Sequence, residues 1–277
     1  MQSHLISRRS LIKSSLIGLA CSAAPAIRAA EKDEWSETYD VVIIGSGFAG
    51  LAAAYSALEN GVKSVLILEK MNVFGGNSCI NGGQISLAGS GLQKSKGIKD
   101  SPKLMEEDML RVGQRLNHPA LVKAVVKESP ACYDMMVKCG VKFADQVIRL
   151  GGHSAPRTIF AENYSGGSIC VPMHKWLKDH GVEFRNKSFC SAVLTDKDGV
   201  VRGVEVEGQY DFDKKTHKTY KVQAVKGVVF ATGGWGADNE FIPLQLRSTP
   251  HSKVPARRAQ HLNLSVCSSD SVQCRSF

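Results

Sequence analysis

The sequence predicts an α/β fold, a mostly parallel sheet wound by helices and extended by a small β meander. Three observations predict it. Two short apolar segments, Tyr39 to Ile44 and Val65 to Leu68, read as parallel strands buried on both faces. Between them, Gly45-Ser46-Gly47-Phe48-Ala49-Gly50 opens a helical stretch that runs to Leu58 and stops at Asn60-Gly61. A third apolar segment, Lys226 to Ala231, ends in Thr232-Gly233-Gly234 and returns the chain to the same sheet. Strand, glycine turn, helix and strand, in that order, make a Rossmann-like unit.

Composition is consistent with this. The chain of 277 residues allows one large α/β domain or two modest ones. With 43% hydrophobic and 22% charged residues, a packed core forms and global disorder is excluded. The net charge of +9 sits at the ends. Residues 1–30 carry +4 and residues 246–277 carry +4, which leaves +1 for the body. A nearly neutral body offers nucleic acid no platform. The longest apolar run is too short and too broken by serine to span a bilayer. Eight cysteines contain no C-x-x-C pair, so a zinc ribbon, a thioredoxin-type site and attached c-type haem are unsupported, and no metal is expected.

The first thirty residues read as an export signal. Ser7-Arg8-Arg9-Ser10-Leu11-Ile12-Lys13 is a charged segment, followed by a short apolar stretch and by Ala24-Pro25-Ala26, which fits a cleavage site. The paired arginines resemble a twin-arginine signal, which implies periplasmic delivery of an already folded protein. Residues 1–30 are therefore set aside from the fold.

In the glycine turn each residue has a task. Gly45 permits the tight turn, Gly47 lets the backbone approach a pyrophosphate, and Gly50 lets the helix pack closely on the strand. The helix N-terminus offers free N–H groups and partial positive charge to phosphates. Glu69 ends the second strand, 19 residues past Gly50, placed to accept hydrogen bonds from ribose hydroxyls. The next loop separates FAD from NAD. Phe74-Gly75-Gly76-Asn77-Ser78-Cys79-Ile80-Asn81-Gly82-Gly83 has two glycine pairs around small polar residues. Such a loop can lay its backbone along a flat ring system, and an NAD domain has no need of it. Together with the last glycine turn it favours FAD.

These segments resemble the flavoprotein subunits of the soluble fumarate reductase and flavocytochrome c family. The likeness covers about residues 38–245: the GSGFAG turn, Glu69-Lys70 with Gly75 to Ser78, Lys99-Asp100-Ser101-Pro102, Gly151 to Thr158, and Ala231 to Gly234. The resemblance implies a FAD-binding fold interrupted by a capping domain. It implies hydride transfer from the flavin to the C=C bond of a small unsaturated carboxylate, with an arginine as proton donor. It places Gly45, Ser46, Gly47, Phe48, Ala49 and Gly50 at the pyrophosphate, and Glu69 with Lys70 at the ribose. Gly75, Gly76, Asn77, Ser78, Gly82 and Gly83 then lie along the flavin, Cys190 near the adenine, and Ala231, Thr232 and Gly233 at the last contact. Cys79, Ile80 and Asn81 occupy the region of the histidine that links FAD in membrane-bound relatives, so non-covalent FAD is expected. With no haem motif, electrons are expected from a separate cytochrome c.

From Pro102 to Cys139 the pattern is helical, with Leu104, Met105, Met109 and Leu110 on one stripe and Leu121, Val122, Val125 and Val126 on another. The glycine-rich stretch 151–167 holds His153 and Arg157, two candidate substrate-side residues; a structural hydrogen bond or salt bridge is the plainer alternative for each. Residues 182–225 alternate short strands and turns, including Asp196-Lys197-Asp198-Gly199 and a charged hairpin near Asp213.

After about Gln245 the character changes. The last 32 residues have no glycine and seven serines. Residues 246–277 read as an aberrant, disordered tail, with the capping domain and its proton-donating arginine beyond the likeness. Impaired reduction is the expectation from that reading. A non-catalytic flavin-binding remnant, or another FAD-dependent dehydrogenase, is the alternative.

Overall fold

The computed structural model describes residues 26–29, 35–211 and 218–234. Of the signal expected over residues 1–30 only residues 26–29 are described, and the hairpin near Asp213 and the tail from 246 lie outside the described residues. Among the described residues ten strands form two sheets, of seven and three strands.

The first half of the large sheet follows the predicted unit. Strand β2 (Glu37–Ile44) leads through the glycine turn into helix α1 (Phe48–Glu59) and then β3 (Val65–Leu68). The large sheet runs β1-β8-β9-β10-β2-β3-β7, with β2 parallel to β3 and to β10. Strand β7 (Glu183–Arg185) lies parallel to β3 on the other side. Strands β8 (Ser188–Thr195), β9 (Val201–Gly208) and β10 (Lys218–Phe230) form the antiparallel meander. Strand β1 (Ala26–Ala29) pairs in parallel with β8, so four residues set aside as signal form an edge strand.

The apolar runs of β2 and β3 follow from burial on both faces. Ile43, Val65 and Ile67 face a helical layer with Leu51, Ala54, Ile169, Met173 and Leu177. Val42, Ile44, Leu66 and Leu68 face a second cluster with Val204, Val206 and Val222 of the meander. Residues such as Ile43, Leu66 and Leu177 are fully buried, and each contributes about 1.5–3 kcal/mol through removal of apolar surface from water.

Strand β10 has 13 residues and two roles. Its first half pairs antiparallel with β9, and its second half pairs parallel with β2. Between Ala224 and Gly227 a bulge inserts one residue opposite Tyr39–Val41.

The small sheet has no counterpart in the sequence reading. It has the order β4 (Gln84–Ser86), β6 (Thr158–Ala161), β5 (Phe143–Ile148), and its β4–β6 pair joins segments more than 70 positions apart. Four helices complete the described residues beside α1 and the single turn α2 (Gly76–Cys79). They are α3 (Gly91–Ser95), α4 (Pro102–Val112), α5 (Pro119–Lys138) and α6 (Gly167–Asp179). Ser90 and Gln93 form a capping box on α3. Ser101 accepts from Leu104 N at 3.1 Å, and Pro102 takes the first helical position of α4, where a missing N–H costs nothing. The predicted stripe on α5 divides: Val122 and Val126 are buried against Met105, whereas Leu121 and Val125 point outward.

Candidate flavin site

The three glycine turns meet at one place. Gly45 N donates to Leu68 O (2.8 Å), and Ala231 N donates to Ile44 O (2.8 Å), so the first and last turns leave adjacent strands together. Their approach requires glycine at Gly45. Its φ is +103°, and a Cβ there would lie 2.4 Å from Ala231 O. Gly50 is held as tightly: a Cβ would sit 2.0 Å from Gly45 O, which is how α1 comes so close to the turn. Gly50 is buried beside Leu51 and Ala54 of the same helix.

Ser46 joins the first turn to the second. Its side chain is buried, and its Oγ donates to Glu69 Oε2 at 2.6 Å while accepting from Gly75 N at 2.8 Å. Glu69 Oε2 also accepts from Ser46 N (3.2 Å), and Oε1 accepts from Met71 N (3.0 Å). Ser78 Oγ accepts from Phe48 N at 3.0 Å, a further tie between the loops. The N–H groups of Gly47, Ala49 and Gly50 find no partner among the described residues, and Leu51 N is the first to bond back, to Gly47 O. Three amides thus stand open at the positive end of α1, the arrangement that receives a pyrophosphate. The residues present fit FAD in this respect: an open amide cradle, glycines where a Cβ would block it, and an acid at the strand end.

Glu69 has a structural task within the turn itself. Its carboxylate fixes Ser46 and through it Gly75; Oε2 accepts two bonds and Oε1 one, which leaves one acceptor position on Oε1. Sequence reasoning named both residues and missed their bond; the only hint was a small hydroxyl inside the turn. Lys70 follows, half-buried, its ammonium pKa lowered by burial. Gly76 and Asn77 stand exposed at the loop tip. Gly83 N donates to Asn81 Oδ1 (2.7 Å) and Ala161 N donates to Gly83 O (2.9 Å), which hangs the loop's end on β6, while a Cβ on Gly82 would meet only open space. Phe230 hands over to Ala231, Thr232 and Gly233, which curve above Gly45. Cys190 differs: its side chain is buried in the meander cluster, its thiol donates to Ala192 O, and burial pushes its pKa up to about 12. Any contact of Cys190 with a cofactor is made by its backbone.

The candidate substrate-side pair takes a structural form. Arg157 is 1% exposed, and its guanidinium grips Asp100 with two bonds (Nε–Oδ2 3.0 Å, Nη2–Oδ1 2.9 Å) and Asp108 with a third (2.8 Å). Asp100 also accepts from Gln93 Nε2 (2.9 Å). Burial raises the pKa of Asp108, but the hydroxyl and backbone of Ser154, then Arg111 and Arg157, outweigh it and hold the carboxyl well below its usual range. With three edges engaged, Arg157 has little left for a substrate carboxylate. His153 is different. Its Nδ1 is buried and has no partner among the described residues, and burial, then Arg157, lowers the imidazole pKa. Among the described residues no group of His, Cys, Asp and Glu could hold a metal ion.

A parallel sheet with an amide cradle at its switch of direction defines a dinucleotide-binding α/β domain. The chain belongs to the FAD-binding-domain family: the model of that family matches residues 40–270, and FAD is the cofactor. The match continues past residue 245, where the likeness seen in the sequence fades. An acrylate reductase flavoprotein subunit from Shewanella woodyi is 37% identical over 237 residues, 83% of this chain and 47% of that protein. The open conformation of a flavocytochrome c3 fumarate reductase superposes with a TM-score of 0.69 at 28% identity, over 78% of this chain and 37% of that one. A 3-ketosteroid-Δ4-(5α)-dehydrogenase from Rhodococcus jostii RHA1 superposes with a TM-score of 0.68 at 26% identity, over 84% and 54%. The chain thus spans about half the length of these proteins, or less. No described helix is long and apolar enough to cross a membrane.

Proposed function

We propose that this chain is the FAD-binding part of a reductase of small unsaturated carboxylates, of the fumarate or acrylate class. The observation that carries the reading is the meeting of three glycine turns, the first and second through Ser46 and the first and third at Gly45 and Ala231, supported by the likeness to acrylate and fumarate reductase flavoproteins.

In this reading Gly47, Ala49 and Gly50 bind the pyrophosphate through their amides, and the α1 dipole favours its charge. Glu69 accepts from the ribose with the acceptor position left on Oε1, and Lys70 lies beside it. Gly75 to Ser78, Gly82 and Gly83 line the flavin, Ala231 to Gly233 close the third side, and the Cys190 backbone lies towards the adenine. Bound FAD supplies the hydride chemistry at the activated C=C bond. The chain's own part is to orient the cofactor and to exclude water from it. The proton donor lies outside the likeness traced in the sequence. FAD is held without a covalent bond. A separate cytochrome c delivers electrons, and the twin-arginine signal directs the protein to the periplasm.

The test is direct. The purified chain, passed over a gel-filtration column, retains a yellow flavin spectrum, and acid releases free FAD. A colourless chain that refuses added FAD overturns the reading. Reduced-dye assays with fumarate and acrylate then address the substrate class. A second reading, a dehydrogenase acting on a larger ring substrate, is favoured by the fit to the ketosteroid enzyme; oxidation of a 3-ketosteroid, with no turnover of either acid, selects it.

A further inference from the structure

Two cysteines from separate elements meet beneath the Gly75–Gly76 turn. Cys79 closes α2, and Cys170 lies in the first turn of α6. A Cβ built on Gly75 would stand 2.1 Å from Cys79 Sγ, 3.2 Å from Cys79 Cβ and 3.7 Å from Cys170 Cβ. The two side chains therefore crowd one point. Both belong to the helix-side core. Cys170 is 3% exposed, whereas Cys79 is half-buried at the edge and can be reached by a small molecule. Burial and the neighbouring Cys79 sulfur push the Cys170 thiol well above its usual range, so it waits as the thiol while Cys79 reacts. The loop between Gly75 and Cys79 is short and has glycine at both of its first positions, which gives Cys79 the small movement that disulfide geometry asks for. Neither cysteine is used by the proposed cofactor binding.

We propose that Cys79 and Cys170 form a reversible dithiol–disulfide site that ties the second glycine loop to α6. The oxidant is a small-molecule disulfide. The Cys79 thiolate attacks one of its sulfurs, forming a mixed disulfide and releasing the first small thiol. The Cys170 sulfur then attacks the Cys79 sulfur, forming the internal bond and releasing the second small thiol. Two protein thiols are oxidised, one small disulfide is reduced to two thiols, and the two protons leave with those thiols.

The experiment uses the full chain in glutathione buffers of graded reduced-to-oxidised ratio, quenched with acid, alkylated and digested. Mass spectrometry is expected to find a linked peptide pair containing Cys79 and Cys170 that disappears with dithiothreitol. Cys170→Ser is expected to stop at a glutathione adduct on Cys79, and Cys79→Ser to give neither product. A wild-type chain that carries only the adduct on Cys79, or that first links Cys132 to Cys139, overturns the proposal. The wild type alone gives a second readout. Its oxidised form is expected to unfold at higher urea than its reduced form, because the bond closes a long loop; equal midpoints overturn the tie between loop and helix.

Discussion

Two buried polar assemblies hold this molecule together, and they are built in opposite ways. Around Ser46 and Glu69 the partners lie within about 30 positions of one another, and most donors are backbone N–H groups. Around Arg157 the partners run from Gln93 to Arg157, and side-chain charges make most of the bonds. The first assembly leaves amides open and can accept a ligand. In the second each carboxylate is matched, so it anchors α3, α4 and the loop before β6. Open amides with a rigid backing suit binding, and closed ion pairs suit support.

Breaking each assembly sharpens that contrast. The largest loss is expected for Arg157→Met, which strands two buried carboxylates and should lower unfolding free energy by about 3–5 kcal/mol. Urea denaturation followed by circular dichroism measures it, and a loss below about 1 kcal/mol would show that water replaces the guanidinium. Gly45→Ala comes next. A Cβ forced against Ala231 O at positive φ should cost about 1–3 kcal/mol of stability and abolish flavin retention on a sizing column. Ser46→Ala removes the hydroxyl between the loops. About 1–2 kcal/mol is expected, read as a roughly tenfold weaker FAD titration with secondary structure unchanged. The mildest probe is pH. The Asp108 carboxyl is depressed in the folded state, so its contribution is complete above the unfolded value near 3.9 and fades as pH falls below that, towards the folded value. Urea midpoints between pH 5 and 3 should therefore fall less steeply in Asp108→Asn than in wild type.

The comparison also explains what could be read from the sequence. The β2-turn-α1-β3 unit was legible because its signals are local: apolar runs, glycine spacing and an acid at a fixed offset. The convergence of the three turns was legible as well, because two of them end strands of one sheet. The β4-β6-β5 sheet was not, since its strands are short and β4 pairs with β6 across more than 70 positions of chain. Arg157 could be read only as a choice between substrate and salt bridge, because Asp100 and Asp108 lie about 50 positions away and sequence carries no distance between them. The outward turn of Leu121 and Val125 escaped for a related reason: an apolar stripe shows which residues can be buried, while the partner helix decides which are.

Strand β10 acts as a ruler. It begins in the meander and ends by setting Ala231 over Gly45, and its extra residue at Ala224–Gly227 sets the phase between those tasks. Side chains alternate faces along a strand, so deleting one residue there would rotate everything downstream by half a turn of the pleat. The last glycine turn would then present its other side to the cradle. A length change of one residue, outside the three glycine turns themselves, would misalign the site more thoroughly than many substitutions within it.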